Sequence, residues 1–391
     1  MCDTLCVIGA DRTLFAKNSD RSPNEPQVLE SYPRRNAGGT LRTTYLEIDD
    51  AGAHALVGSR PSWMWGLEHG VNEHRVAIGN ERIYTIDDPH TVPPALVGMD
   101  LVRLGLERGS TADEAVDAIV GLLEQHGQGG SGAEGHDDPY WSSFLVADPD
   151  HAWVVETSAR TWAAREVDHG AAISNRVTLT TDWGRASTDV PAGADFDRWR
   201  DQQVPTGLAD GRLATTSTCV ATGAAALTAA DLVATMRHHG TGPWGAPDDP
   251  SGRVEPPPPA DAPSWDSISV CFHYGVATTA SMIAELPHDS DARPRAWVAL
   301  GSPCASVYVP VFPPDVPSEL ADPATWMRFR RLRERVESDP DALTAIRQTL
   351  APVERALWAK ADGLPADDDA QRAFAVHAWD EVACALTTLG V

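Results

Sequence analysis

The chain has 391 residues, of which 42% are hydrophobic and 22% charged, the balance of an ordinary globular protein long enough to bury a large core. Its formal net charge of −25 at pH 7 sets it against polyanions: nucleic acid and acidic membrane surfaces would repel it before contact, whereas small or cationic substrates stay open. No stretch approaches the roughly 18 apolar residues of a membrane helix, and the opening MCDTLCVIGADRTLF lacks a signal-type segment, so a cytoplasmic protein without membrane contact is expected.

The first predicted element is a hairpin, with apolar runs from Thr4 to Gly9 and from Thr13 to Asn18 around the turn Ala10-Asp11-Arg12. Cys2 stands at its open end, and a hairpin of this length returns Lys17 and Asp20 to within reach of Cys2. Strand-like segments follow at Thr43–Ile48, Ala55–Ser59 and Arg75–Tyr84, then helices at Pro94–Glu107 and Thr111–His126. Thr111 with Glu114 makes a capping box, and Val116, Ile119, Val120 and Leu123 recur on one face. Alternating apolar residues from Ser142 to Asn175 predict a β meander, and Thr228 with Asp231 caps a helix covering Leu232–His239.

Residues 241–264 are rich in Pro, Gly and Asp and read as a surface loop. Strands are expected at Ser267–Tyr274, Thr279–Leu286, Ala296–Leu300 and Ser306–Phe312. From about Pro314 helical spacing takes over, with Trp326, Phe329, Leu332, Leu343, Ile346, Leu350 and Leu357 as its apolar positions. The expected organisation is a catalytic domain over 2–313 and a helical extension over 314–391. Strand blocks separated by helix pairs favour an α+β fold of antiparallel sheets covered by helices, and no dinucleotide-binding glycine run or phosphate loop argues otherwise.

The six cysteines, Cys2, Cys6, Cys219, Cys271, Cys304 and Cys384, are scattered without a CxxC pair, which indicates neither a zinc knuckle nor a disulfide framework. His69, His74 and His126 lack metal-ligand spacing, so no metal or other cofactor is expected. Cys2 is different. A small residue after the initiator permits removal of Met1, leaving one residue with both a thiol nucleophile and an α-amine. That amine titrates near ~7.7–8.0 and can take the thiol proton and later deliver it to a leaving amine. A thiol, ordinarily near ~8.5, ionises readily beside a cation, and Lys17 is the local candidate. Only Lys17 and Lys360 are lysines; every other Lys or Arg position holds Arg, so the compact ammonium at Lys17 stands out.

Several blocks in order, MCDT at the start, Phe15–Gln27 (FAKNSDRSPNEPQ), Ser59–Gly66 (SRPSWMWG), Gly70–Glu81 (GVNEHRVAIGNE) and Gly98–Gly109 (GMDLVRLGLERG), resemble the secernin branch of the dipeptidase A family of N-terminal-nucleophile hydrolases. The similarity extends through Glu124–Gly130, Ala152–Thr157 and Ile173–Asn175 to Ser281–Leu286 and ends before the helical tail. The resemblance implies a four-layer αββα sandwich, a thioester acyl-enzyme on Cys2, and hydrolysis of dipeptides or other amides. It also implies a basic residue and an aspartate after the first hairpin, matched by Lys17 and Asp20. Relatives usually carry Arg at the first of these, so Lys17 keeps the charge and changes the hydrogen bonding. Asn80 and Asn175 match positions where the superfamily places polar groups around the tetrahedral intermediate, and losing one such donor commonly costs ~10²–10³ in rate.

Plainer readings stand beside these. Cys2 is otherwise an incidental terminal residue, and Cys6, mid-strand between Leu5 and Val7, is the competing nucleophile or a buried thiol. Lys17 and Asp20 are otherwise a surface ion pair, and Asn80 and Asn175 amides that bond the backbone. The Trp63-Met64-Trp65 cluster reads as core or interface, and His273, between Phe272 and Tyr274, as structural or pocket-lining. The leading expectation is an amidohydrolase or dipeptidase acting on a small peptide or acyl-amide. An acyltransferase using the same thioester and a non-catalytic scaffold are the alternatives, and a homodimer is expected on general frequency alone.

Overall fold

A computed structural model describes residues 1–239, 268–273, 275–339, 341–365 and 367–391. The N-terminal hairpin forms as the turn predicts, from β1 (Cys2–Ile8) and β2 (Arg12–Arg21), with Cys2 paired to Ser19. β12 (Gly170–Ile173) extends it on one side. On the other side come β14 (Ala277–Pro287), β15 (Arg295–Leu300) and β16 (Val309–Val311), giving a six-stranded sheet.

The second sheet is built from β3 (Gln27–Tyr32), β6 (Leu56–Pro61), β7 (His69–Asn72), β8 (Ala77–Ile83), β9 (Trp141–Ala147), β10 (Ala152–Ser158), β11 (Thr161–Val167) and β13 (Arg185–Ala186). Its order is β13-β11-β10-β9-β8-β7-β6-β3, and the paired strands of both sheets run antiparallel. A small pair, β4 (Thr40–Arg42) and β5 (Glu47–Asp49), stands apart.

The period of two along each strand sorts side chains into layers. From the hairpin, Cys6 and Phe15 point inward and join Ala77, Leu145 and Ala147 of the facing sheet in one core. Their neighbours Leu5, Val7, Leu14 and Ala16 point the other way, against α3 (Gly207–Thr222) and α4 (Ala229–Met236), where Cys219, Leu232 and Met236 meet them. On the eight-stranded sheet Ile78, Phe144 and Val146 face outward onto α1 (Gly98–Arg108) and α2 (Ala112–His126). Helix, sheet, sheet, helix is thus the layer order, the α+β sandwich of antiparallel sheets that the resemblance implies.

The helical tail comprises α5 (Pro323–Ser338), α6 (Ala342–Asp362) and α7 (Asp368–Thr388). Trp326, Phe329 and Leu332 pack into the same core as Val298 and Leu300 of β15, and the Trp326 indole donates to the Thr279 carbonyl at 2.9 Å. No helix among the described residues is long and apolar enough to cross a membrane.

Several expectations need correction. Of the strand expected at Thr43–Ile48 only Glu47 and Ile48 are strand, at the start of β5; residues 43–46 are the turn from β4, because the Thr43 amide and hydroxyl both close on the Leu46 carbonyl. The first helix begins at Gly98 rather than Pro94, with the Asp100 carboxylate accepting from the Val97 amide. In the Thr111 capping box, the hydroxyl accepts from the Glu114 amide as expected, but the Glu114 carboxylate takes the Ser110 amide. Of Ser306–Phe312 only Val309–Val311 is strand. Residues 268–273 are irregular rather than a strand: the Val270 carbonyl accepts from Asn18 Nδ2 and the Cys271 amide donates to the His238 carbonyl, so neither is left for a ladder. The loop at 241–264, with Ser267 and Tyr274, lies outside the described residues.

Candidate active site

Alternation along β2 decides which partners the hairpin residues meet. Lys17 and Asp20 are three residues apart, so they leave opposite faces of the strand and do not pair. Lys17 points between the sheets, fully buried, where its ammonium donates to the Asn80 carbonyl and lies 3.3 Å from Glu81 Oε1. Asp20 points toward α3: its Oδ1 accepts from the Thr278 hydroxyl at 2.6 Å, and its Oδ2, which makes no hydrogen bond, lies 4.0 Å from Arg212. Neither residue belongs to a surface pair.

Cys2 sits at the junction. Its backbone nitrogen donates to Asn175 Oδ1 at 2.8 Å, its carbonyl accepts from Arg212 Nη1 at 3.0 Å, and its thiol sulfur takes the Asp20 amide at 3.4 Å. Met1 covers it, the terminal ammonium donating to the Asp20 carbonyl at 3.1 Å. Burial pushes the Cys2 thiol up to about 11, against the pull of the Lys17 and N-terminal ammonium groups. Burial works against charge on Lys17 as well, yet Cys2, Glu81 and Glu68 outweigh it and hold its proton more tightly than in an ordinary lysine. Cys6, mid-strand and fully buried, has its thiol raised to about 12 by burial, with no nearby cation among the causes.

Asn175, at the end of β12, meets Cys2 through its oxygen, not its amide hydrogens. Oδ1 accepts from both the Cys2 nitrogen and Arg212 Nη2, each at 2.8 Å, while Nδ2 donates to the Arg82 carbonyl at 2.8 Å. Three donor–acceptor pairs agree on that orientation. Asn80 has its backbone carbonyl on Lys17 and its side-chain amide 3.4 Å from the Met99 thioether, a weak acceptor. The Trp63-Met64-Trp65 cluster lies largely in the packed interior: Met64 is buried with Val97 and Met99, and the Trp63 indole donates to Glu25.

Two residues escaped the sequence reading. Glu81 pairs with Lys17 across the sandwich and accepts from the Thr4 hydroxyl, with its own strand as the clue: directly after Asn80, it opposes buried Ser143. Arg212 binds the Cys2 carbonyl, Asp3 Oδ2 at 2.6 Å, Asn175 and the Leu208 carbonyl, all from a fully buried position on α3. Nothing in GLADGRLATTSTCVAT marks it.

The burial of Asp20 gives a stability prediction. Burial pushes its carboxyl up to about 6, with the N-terminal ammonium and Arg212 opposing. A folded-state pKa above the unfolded ~3.9 means the native state binds the extra proton, so this contribution is full below about pH 4 and is lost as pH rises through about 6. Asp20→Asn cannot titrate. The stability of Asp20→Asn relative to the parent should therefore improve by on the order of 2 kcal/mol between pH 4 and 7.5, measured by denaturant melts at each pH. A gap constant across that range would refute the shift.

Beside the site, a cavity of ≈ 290 Å³ is lined by Arg82, Tyr84, His90, Tyr140 and Trp141, among others. Its size is at the small end of ligand pockets. The Arg82 guanidinium lies 5.1 Å from the ring centroids of both Tyr84 and Tyr140 and is paired with Asp138. Through the Arg82 carbonyl this wall is tied to Asn175.

No family model matches the chain. Similar solved structures include a mutant conjugated bile acid hydrolase from Clostridium perfringens (10% identical, 76% of this chain and 88% of that one, TM-score 0.42). Penicillin V acylase from Agrobacterium tumefaciens is 13% identical over 81% of this chain and 87% of its own, with a TM-score of 0.41. An N-acylethanolamine-hydrolyzing acid amidase ortholog from Caenorhabditis elegans is 13% identical over 46% and 71%, with a TM-score of 0.30. Likeness at this level transfers no residue's role to this chain.

Proposed function

We propose that the chain is a cysteine N-terminal-nucleophile amidohydrolase in which Cys2, freed of Met1, attacks a dipeptide or small acyl-amide. The observation that carries this reading is the double anchoring of Cys2: its nitrogen lies 2.8 Å from Asn175 Oδ1 and its sulfur 3.4 Å from the Asp20 amide. With Met1 gone, that nitrogen is an amine already held by an acceptor. It takes the thiol proton as sulfur bonds to the substrate carbonyl carbon. The amide C–N bond breaks, the amine leaves with that proton, and water then cleaves the thioester to release the acid.

Lys17 favours the thiolate through its charge, and Asp20 and Arg212 hold the terminus in place. Asn175 positions the α-amine. Asn80 is the candidate donor to the oxyanion, since its amide gives up only a weak thioether partner to do so. The ≈ 290 Å³ cavity lined by Arg82 and Tyr140 is not lined by Cys2 itself and is tied to the site through the Arg82 carbonyl on Asn175; its size would suit a short substrate.

The test begins with the intact mass of the purified protein, then follows amine release from a panel of dipeptides and acyl-amides with and without an added acceptor amine. Loss of Met1 with acid as the product supports hydrolysis, and an acceptor-dependent amide product moves the reading to acyl transfer. Retained Met1 with no turnover on any substrate overturns both and leaves the scaffold.

A further inference from the structure

We propose that His239, Cys271, His273 and Cys304 form a structural zinc site. One ligand atom from each lies within 4.8 Å of all the others, and all four residues are buried. Two thiolates and two imidazoles are a tetrahedral zinc donor set, and soft sulfur with nitrogen at four positions selects zinc over oxygen-loving cations. The spacing fits. Zinc bonds of ~2.3 Å to sulfur and ~2.0–2.1 Å to nitrogen, at tetrahedral angles, put sulfur and nitrogen roughly 3.5 Å apart. His273 Nε2 is 3.5 Å from Cys271 Sγ and 3.4 Å from Cys304 Sγ.

The surroundings support a ligand role. His273 Nδ1 lies 3.3 Å from Glu337 Oε1, which is itself held at 3.3 Å by Arg333 Nε. A carboxylate accepting from the far ring nitrogen fixes the tautomer that leaves Nε2 for a metal. The rings of His239 and His273 meet edge to face at 5.2 Å, and each offers a ring nitrogen within 4.8 Å of both sulfurs. Two thiolates and a divalent cation sum to zero charge, which suits a buried place. The other such group among the described residues, His54, Glu73 and His74, offers only three ligands, and Glu73 is already engaged by Arg34 and the Ala55 amide.

The four ligands come from three separate stretches: the segment after α4, the segment leading into β14, and the short helical turn Pro303–Ala305 after β15. Only Cys271 and His273 are near in sequence, which is why the cysteine spacing indicates no zinc knuckle. With four protein ligands the site is closed, so the ion acts as a staple and takes no part in chemistry. The staple lies directly behind the candidate active site. The Phe272 amide donates to the Thr278 hydroxyl at 2.9 Å, and that hydroxyl donates to Asp20 Oδ1. Asn18 Nδ2 binds the carbonyls of Met236 and Val270, shortly before His239 and Cys271 in the chain.

The test uses the full chain, incubated with zinc under reducing conditions, desalted and assayed for metal by plasma emission. One zinc per chain is expected in the parent and in Cys2→Ala, and cobalt exchange should give the ligand-field and thiolate charge-transfer bands of a tetrahedral site. Cys304→Ser should lose both signals. If that variant does not fold, release of one zinc from the parent on mercurial titration, with a fall in melting temperature, serves in its place. No retained zinc in the reduced parent, unchanged binding in Cys304→Ser, or a Cys271–Cys304 disulfide that persists under those conditions would each overturn the site.

Discussion

Replacing Cys2 with alanine is expected to lower amide hydrolysis by on the order of 10⁴–10⁶-fold, the scale on which a covalent nucleophile is lost, while the fold persists. The side chain is small and its sulfur accepts a single backbone amide, so little packing goes with it. Cys6→Ala is the matched control. Cys6 is as deeply buried, pairs mid-strand with Phe15 and Ala171, and has no cation to draw off its proton, so its removal should leave turnover within a few-fold of the parent. A form carrying an extra residue that blocks removal of Met1 should resemble Cys2→Ala in turnover, because its Cys2 nitrogen is an amide and its thiol stays near the buried value of about 11. Steady-state kinetics on the best substrate of the panel, with rates of thiol alkylation at Cys2, measures all three. Undiminished turnover in Cys2→Ala would remove the nucleophile from the mechanism.

The N-terminal hairpin was legible because its two signals, alternation and a turn of three polar or small residues, agree locally. The same alternation held a finer message: residues 17 and 20 must face opposite ways, so the cation and the carboxylate near Cys2 had to find separate partners. Those partners were not legible. Glu81 comes from the other sheet and Arg212 from a helix far along the chain, and only the stacking of layers brings them to Lys17 and Asp20.

Helix α3 itself went unseen because its run of Gly, Ala and Thr carries no clear apolar stripe; it is held by four buried contacts, Ala209, Arg212, Thr216 and Cys219, of which two are polar or charged. Strand β7, four residues with two of them His69 and Asn72, is too short and too polar to read as buried, yet it lies inside a sheet with all four residues covered. The segment around Cys271 reads as a strand from composition, whereas side-chain bonds from distant Asn18 and pairing with His238 hold it irregular. At α3, which carries Arg212, and at the segment around Cys271, the disagreement between local pattern and tertiary partner falls on residues that adjoin Cys2 and Asp20.

Arg212→Met should destabilise the protein by about 3–5 kcal/mol, the scale for stripping one partner from a buried ion network. Methionine replaces much of the volume, but Asp3 then loses its ion-pair partner, Asp20 keeps only the N-terminal ammonium, and the Cys2 carbonyl and Asn175 Oδ1 each lose a donor. Arg212→Lys separates charge from geometry. A single ammonium can sit near Asp3 yet cannot span Asp3, the Cys2 carbonyl and Asn175 as the guanidinium fork does. Lysine should therefore recover a large part of the stability but little of the activity, which depends on where the Cys2 nitrogen points.

A further readout excludes a merely structural role. Arg212 lowers the proton affinity of Asp20 against the push of burial, so its loss should carry the Asp20 transition above about 6. In Arg212→Met the pH window over which stability falls should move upward, and in Arg212→Lys it should stay near the parent's. Denaturant melts from pH 4 to 8 on the three proteins decide it. An unmoved window in Arg212→Met, or full activity in Arg212→Lys, would show that the guanidinium neither sets the charge state of Asp20 nor positions Cys2.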